Sequence, residues 1–202
     1  MLMDLIKARH SIRKYTNEQI SRKDLETILE AGTFAPNAGG GQRSMMVAIH
    51  NKELAAHVGK MNMANFGRTH LAGSFVSKEQ PSTIDDSSIK NGFYDAPTVI
   101  CIFSQNNFMF KTADAFCMAE NMILQATELG IASCIISRGY ETFDHEEGRN
   151  LMKEWGVPEG YTCQCFVILG FINGEQPHRK PRKPNRVKIV EQEAPDGFNN
   201  MS

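Results

Sequence analysis

Residues Arg9 to Tyr15 read RHSIRKY, which places three cations and a histidine in seven positions of a 202-residue chain with a formal net charge of -1. Arg9 and Arg13 can each turn a guanidinium fork onto a phosphate, Ser11 can donate a hydroxyl hydrogen bond, and backbone N–H groups between two helices add further donors. A second cluster, Arg179, Lys180, Arg182, Lys183 and Arg186, lies near the other end. Each cluster has a plain reading as solvated surface charge. If the two ends converge, one phosphate accounts for both. A third stretch, APNAGGG (Ala35 to Gly41), offers bare backbone instead of charge, because Pro36 breaks a helix and three successive glycines admit close approach.

Other chemistry finds little support. The six histidines are scattered, and His145-Glu146-Glu147 lacks the spacing of a zinc-protease helix, so it reads as a capped, acidic first turn. The five cysteines (Cys101, Cys117, Cys134, Cys163, Cys165) form no C-x-x-C pair and sit in apolar runs, as reduced core residues do. Cys163 and Cys165, two apart on a strand, are expected to share one face and to pack rather than bridge. With 22 basic and 23 acidic residues the chain is not a globally basic nucleic-acid binder. No GxGxxG fingerprint marks a separate dinucleotide site. Hydrophobic content of 41% without an apolar run of about 20 residues excludes a spanning helix. The N-terminus lacks a signal-peptide pattern, so a cytoplasmic location is expected.

The elements that must position these residues follow from periodicity. Leu2, Leu5 and Ile6 predict a short helix running to about Arg9. Ser21, three residues before Asp24, caps a second helix whose apolar face is Leu25, Ile28 and Leu29, closed by Gly32. MMVAIH (45–50), TVICIF (98–103), ASCIIS (132–137) and TCQCFVILGF (162–171) read as buried strands. Ala113 to Leu129 reads as a long helix, apolar nearly all round. Asp144 to Gly156 reads as one amphipathic helix. Residues 51–95 look polar and irregular, with KEQPSTIDDSSIKNG (78–92) an exposed excursion and little sheet. The last 30 residues are too polar for a core of their own, and no linker divides the chain.

The segments ARHSIRKY, EAGTFAPNAGGGQ, FYDAPTVICIF, AENMILQATELGIASCIIS, GVPEGYTCQCFVILGF and KPRK, taken together and in order, resemble the FMN-dependent nitroreductase family across nearly the whole chain. That resemblance implies an α+β fold, a mixed but mainly antiparallel sheet between helices in three α/β/α layers. It implies an intertwined homodimer with the long apolar helix at the interface. One domain would span 1–202, its 173–202 tail wrapping the partner subunit. FMN would be the cofactor and NAD(P)H a transient donor. Nitroaromatics, quinones or similar acceptors would be reduced by a ping-pong route that needs no side-chain nucleophile and no catalytic residue. The same fold also hosts dehalogenation, flavin destruction and dehydrogenation, and a non-catalytic flavin-binding redox sensor is a further alternative.

Carried over residue by residue, the resemblance gives Arg9 and Ser11 the flavin phosphate and ribityl chain, with His10 beside them. Arg13 would reach the pyrimidine edge, and Lys180 and Arg182 would complete the phosphate site. Pro36, Asn37, Ala38 and Gln42 would lie against the flavin from the partner, and Ile135, Ile136 and Ser137 would run beside it. The chain departs from the family pattern at Asn37, Gly40, Arg43 and Ser44 in the loop. It also departs at Asp95, where a glycine is common and a carboxylate needs a partner. Asn65, Phe66, Arg68 and His70 are candidates for the acceptor side of the pocket, though surface positions suit them as well.

Overall fold

The computed structural model describes residues 1–64 and 75–191. Six helices and four strands follow in the order α1 (Leu2–Ala8), α2 (Arg22–Thr33), β1 (Ser44–Ile49), α3 (Lys52–Ala64), β2 (Thr98–Gln105), α4 (Lys111–Glu128), β3 (Ala132–Ile136), α5 (Gly139–Phe143), α6 (Glu146–Glu154) and β4 (Tyr161–Gly170). Asn65, Phe66, Arg68 and His70 lie outside the described residues.

The strands lie in the order β1-β2-β4-β3, and every neighbouring pair is antiparallel. Parallel pairing among the described residues is limited to one bridge, Ser11 to Ser133, where the cationic segment runs along β3. The fold is α+β, as expected. β2 is buried from Thr98 to Ser104 because the sheet is covered on both faces. On one face Val99, Cys101 and Phe103 meet Val58 and Met61 of α3 and Phe143 of α5. On the other, Ile100 and Ile102 meet Leu25 and Ile28 of α2 and Met118 and Met122 of α4. Fully burying one such side chain contributes about 1.5–3 kcal/mol, so these two layers dominate the stability and hold the sheet edges in place.

Helix α2 begins where its sequence says it should: Ser21 Oγ accepts from the Asp24 backbone N–H and donates to the Asp24 carboxylate. His145 caps α6 in the same manner, its Nδ1 accepting from the Gly148 N–H.

Four expectations need correction. The region after β1 is not irregular throughout, since α3 fills 52–64, where alternating small and large residues disguise the period. Its tight seat on the turn at Asn91–Asp95 is set by glycine: Gly92 N–H donates to Gly59 O at 2.8 Å, and a side chain on Gly59 would run into Asn91. The 78–92 stretch is not an exposed excursion either, for Gln80, Ser82 and Asn91 are buried. The helix expected over 144–156 is present as α6, and α5 precedes it.

Cys163 and Cys165 do not share a face. Cys163 pairs with Phe103 and Cys165 with Ile102, which leaves Gln164 as the extra residue of a bulge. Cys163 then packs with the α3 side and Cys165 with the α4 side. Both thiols are free, so the packing reading holds for a different reason. Burial pushes the Cys165 thiol up to about 12. α4, finally, buries one stripe, Ala115, Met118, Ala119, Met122, Ile123 and Ala126, while Phe116, Cys117 and Leu124 stay half-covered within one chain.

Candidate flavin site

The cationic segment is fixed to the β3 edge of the sheet by backbone. Ile12 N–H donates to Ser133 O at 3.0 Å, Thr16 N–H to Phe171 O at 2.9 Å and Asn173 N–H to Lys14 O at 2.9 Å. Ile12 and Tyr15 plug into the core, the Tyr15 hydroxyl donating to Ile12 O at 2.7 Å. Alternation then turns Ser11 and Arg13 away from the core.

Ser11 stands between the two arginines. Arg9 donates to its hydroxyl at 3.4 Å, and Arg13 donates to its carbonyl at 3.4 Å. Both bonds are long, and neither guanidinium forms an ion pair among the described residues. Arg13 also lies 6.0 Å from the Tyr94 ring centroid. The buried Cys134 thiol registers this convergence: burial raises it, while Arg13, a hydrogen bond with Ser11 and Arg9 all pull it down. Tyr94 is likewise raised by burial and lowered by Arg13.

Arg13, Tyr94, Cys134 and the backbone stretch Ile135, Ile136 and Ser137 line one cavity of about 220 Å³, walled on its far side by Val76, Ser82, Thr83 and Ile84. No carboxylate among the described residues lines it. Arg9 and His10 face a smaller neighbouring hollow of about 100 Å³ beside Gly130 and Ser133. His10 Nδ1 lies 2.7 Å from Ala8 O, and since a carbonyl only accepts, the network assigns the proton to Nδ1.

Pro36, Asn37, Ala38 and Gln42 lie elsewhere. Their loop borders β1, the opposite edge of the sheet, and Asn37 and Gln42 line a separate cavity of about 240 Å³ with Asp114 and Met118. Its shape is imposed by backbone. Gln42 has φ 47° and its N–H donates to Asn37 Oδ1 at 2.8 Å, while Ala38 N–H donates to the buried Asp114 carboxylate at 3.1 Å. Arg43 folds back onto this loop, donating to Ala38 O at 3.4 Å and stacking 4.6 Å from the Phe108 ring centroid.

The tail cations do not join Arg9 within one chain. Lys180 Nζ donates to Phe75 O at 2.8 Å, and Arg182 is exposed without a hydrogen bond or ion pair among the described residues. Asp95 settles as its chemistry requires: it takes φ 60°, the left-handed conformation a glycine there would favour, and its carboxylate accepts from Asn91 Nδ2 at 2.8 Å.

Sequence reasoning missed Tyr94, Cys134 and Gln80. Tyr94 stands inside the quoted FYDAP turn and could have been suspected as an aromatic beside a cation. Cys134 was read as core. Gln80 carried no signal, because its role depends on a contact 67 residues away.

The family model for the Nitroreductase family matches residues 6–171. This chain belongs to the Nitroreductase family. A nitroreductase of Bacteroides fragilis, solved with bound FMN, is 31% identical and superposes with a TM-score of 0.80 over 94% of this chain and 98% of its own. A second FMN-bound nitroreductase, from Desulfitobacterium hafniense, is 27% identical with a TM-score of 0.74 over 94% of this chain and 98% of its own. A relative from Archaeoglobus fulgidus, provisionally named an NADH dehydrogenase/NAD(P)H nitroreductase, is 27% identical over 179 residues, 86% of this chain and 87% of its own. The Nitroreductase-family fold here contains, among the described residues, no helix long and apolar enough to cross a membrane.

The residues present suit a flavin mononucleotide. Two guanidiniums without carboxylate partners among the described residues and a hydroxyl suit its phosphate and its anionic ring edge, and the apolar end of β3 suits a planar ring. The cavity formed there by the described residues, about 220 Å³, is smaller than the roughly 300–1,000 Å³ of a ligand pocket.

Proposed function

We propose that two copies of this chain hold FMN between them and work as a cytoplasmic NAD(P)H-dependent oxidoreductase on nitroaromatics, quinones or similar small acceptors. The observation that carries the reading is the pair of guanidiniums, Arg9 and Arg13, gathered around Ser11 at the β3 edge with no acid among the described residues paired to them. Arg9 and Ser11 would hold the phosphate, and Arg13 would face the pyrimidine edge, where a cation favours the anionic reduced state. Ile135, Ile136 and Ser137 would bound the ring on one side. His10 would buttress Arg9 rather than touch the ring, since its Nδ1–H is already given to Ala8 O.

Pro36, Asn37, Ala38 and Gln42 would come from the partner subunit, because the sheet holds them at the far edge of their own chain. The tail from about Asn173 would cross the same interface and bring Lys180 and Arg182 to the partner's phosphate. Phe116, Cys117 and Leu124, half-covered in one chain, would close against the second copy. Bound FMN supplies hydride acceptance from the nicotinamide and electron delivery to the acceptor in alternate steps. No side chain of the protein needs to form a covalent bond.

The test is direct. The purified protein is expected to be yellow or to take up FMN, and to oxidise NADH or NADPH steadily when a quinone is supplied. A colourless protein that cannot be loaded would overturn the reading. Flavin held without turnover would assign the sensor role instead.

A further inference from the structure

Gln80 is fully buried, yet it belongs to a loop. All four hydrogen bonds of its amide go to backbone. Its Oε1 accepts from the Arg13 N–H at 2.8 Å and from the Lys14 N–H at 2.7 Å. Its Nε2 donates to Asn173 O at 3.4 Å and Glu175 O at 3.0 Å. The amide therefore joins the Arg13 backbone on one side to the root of the tail on the other. Few side chains present two acceptor sites and two donors in one plane, and a glutamate in this place would lack the donors.

We propose that Gln80 is the positioning residue for Arg13, setting where that guanidinium stands and tying its place to the point at which the tail departs. The proposal rests on the flavin reading above. Arg13 forms no ion pair among the described residues. Among the described residues its guanidinium is held by a 3.4 Å bond to Ser11 O and by the Tyr94 ring at 6.0 Å, both weak. The two short bonds to Gln80 thus complete the fixing of the main chain from which Arg13 projects, where the pairing of Ile12, Lys14 and Thr16 leaves the Arg13 N–H to a side chain. Gln80 is itself seated by Ser77, whose hydroxyl accepts from the Gln80 N–H at 3.1 Å.

The experiment is a double-mutant cycle on the flavin midpoint potential, with Gln80→Ala, Arg13→Ala and the double variant. Arg13→Ala is expected to favour oxidised over reduced FMN by about tenfold, a fall of about 30 mV for a two-electron couple. Gln80→Ala should lower the potential in the same direction, by part of that amount. Added to Arg13→Ala, it should change nothing further. An equal shift from Gln80→Ala with and without Arg13, or no shift from either single variant, overturns the proposal.

If Gln80→Ala does not fold, Gln80→Asn keeps the same groups on a shorter stem. It should show a smaller fall that again vanishes without Arg13, and a persistent or absent fall counts against the proposal equally. Wild-type protein that binds no FMN would refute the flavin reading, whereas flavin-bound wild type with an additive cycle would refute only the role of Gln80.

Discussion

The two edges of the sheet carry different halves of the candidate site. At the β3 edge the material is charge: Arg9, Ser11 and Arg13 on a strand-like segment, tied down by paired backbone and by the buried Gln80 amide. At the β1 edge the material is backbone: a glycine-rich turn held by Asn37 and Asp114. Neighbouring strands stand about 4.8 Å apart, so three spacings separate the edges by roughly 14 Å. A rigid sheet cannot fold these halves together. In the proposed dimer, charge and cradle would meet where a second copy brings its β1 edge to the first copy's β3 edge.

The largest effect should come from the charged half. Arg9→Ala removes a charge-assisted hydrogen bond of about 1.5–3 kcal/mol and is expected to weaken FMN binding roughly 10- to 150-fold, read by titrating flavin fluorescence. Arg182→Ala should fall in the same range if the tail reaches the partner's phosphate. Unaltered affinity in both would remove the phosphate assignment.

A smaller effect is expected at the backbone half, where Asn37→Ala loses one neutral hydrogen bond, about 0.5–1.5 kcal/mol, and weakens binding several-fold. Mixing the two variant chains tests the comparison itself. With halves contributed in trans, a mixed dimer of Arg9→Ala and Asn37→Ala chains regains one site of wild-type affinity. With both halves serving the same chain, none returns.

The smallest effect concerns acid. Burial alone would raise the Asp85 carboxyl, but backbone N–H groups of Ser82, Val76 and Ser77 and the Ser82 hydroxyl outweigh it and hold the group below the usual carboxylate range. A carboxyl depressed in the folded state stabilises above its unfolded pKa, about 3.9, and that contribution fades as pH falls through the lower folded value. The group is partly exposed, so the loss should stay under about 1 kcal/mol. Amide exchange is expected to quicken around Val76–Asp85 below about pH 4 and to leave the Asn37–Gln42 turn unchanged. Equal quickening at both would erase the distinction between the edges.

Much of the framework was legible because it depends on local pattern. All four strands follow from short β-branched runs, and α2 follows from its Ser21–Asp24 cap. α3 was hidden because its buried residues include Gly59 and Asn62, which break the apolar period that marks a helix. The cationic segment was legible in residue type, and the gathering of Arg9, Ser11 and Arg13 followed the resemblance. What could not be read were contacts across long sequence separations: Gln80 on Arg13, Asp114 on Ala38, Arg13 over Tyr94. Asp95 lies between these cases. Its need for a partner followed from its charge, and Asn91, four residues earlier, supplies it.

The extra residue in β4 has an unusual bearing on how this chain tolerates length changes. Because side-chain parity flips at Gln164, removing that one residue would restore plain alternation and leave Cys163, Cys165, Phe166 and Val167 each facing the layer it faces now. Loss of a residue from the regular stretch Phe166–Leu169 would instead send one end's apolar set to the wrong side. Position 164 is thus a point in a fully covered strand where a codon could vanish without exchanging inside for outside.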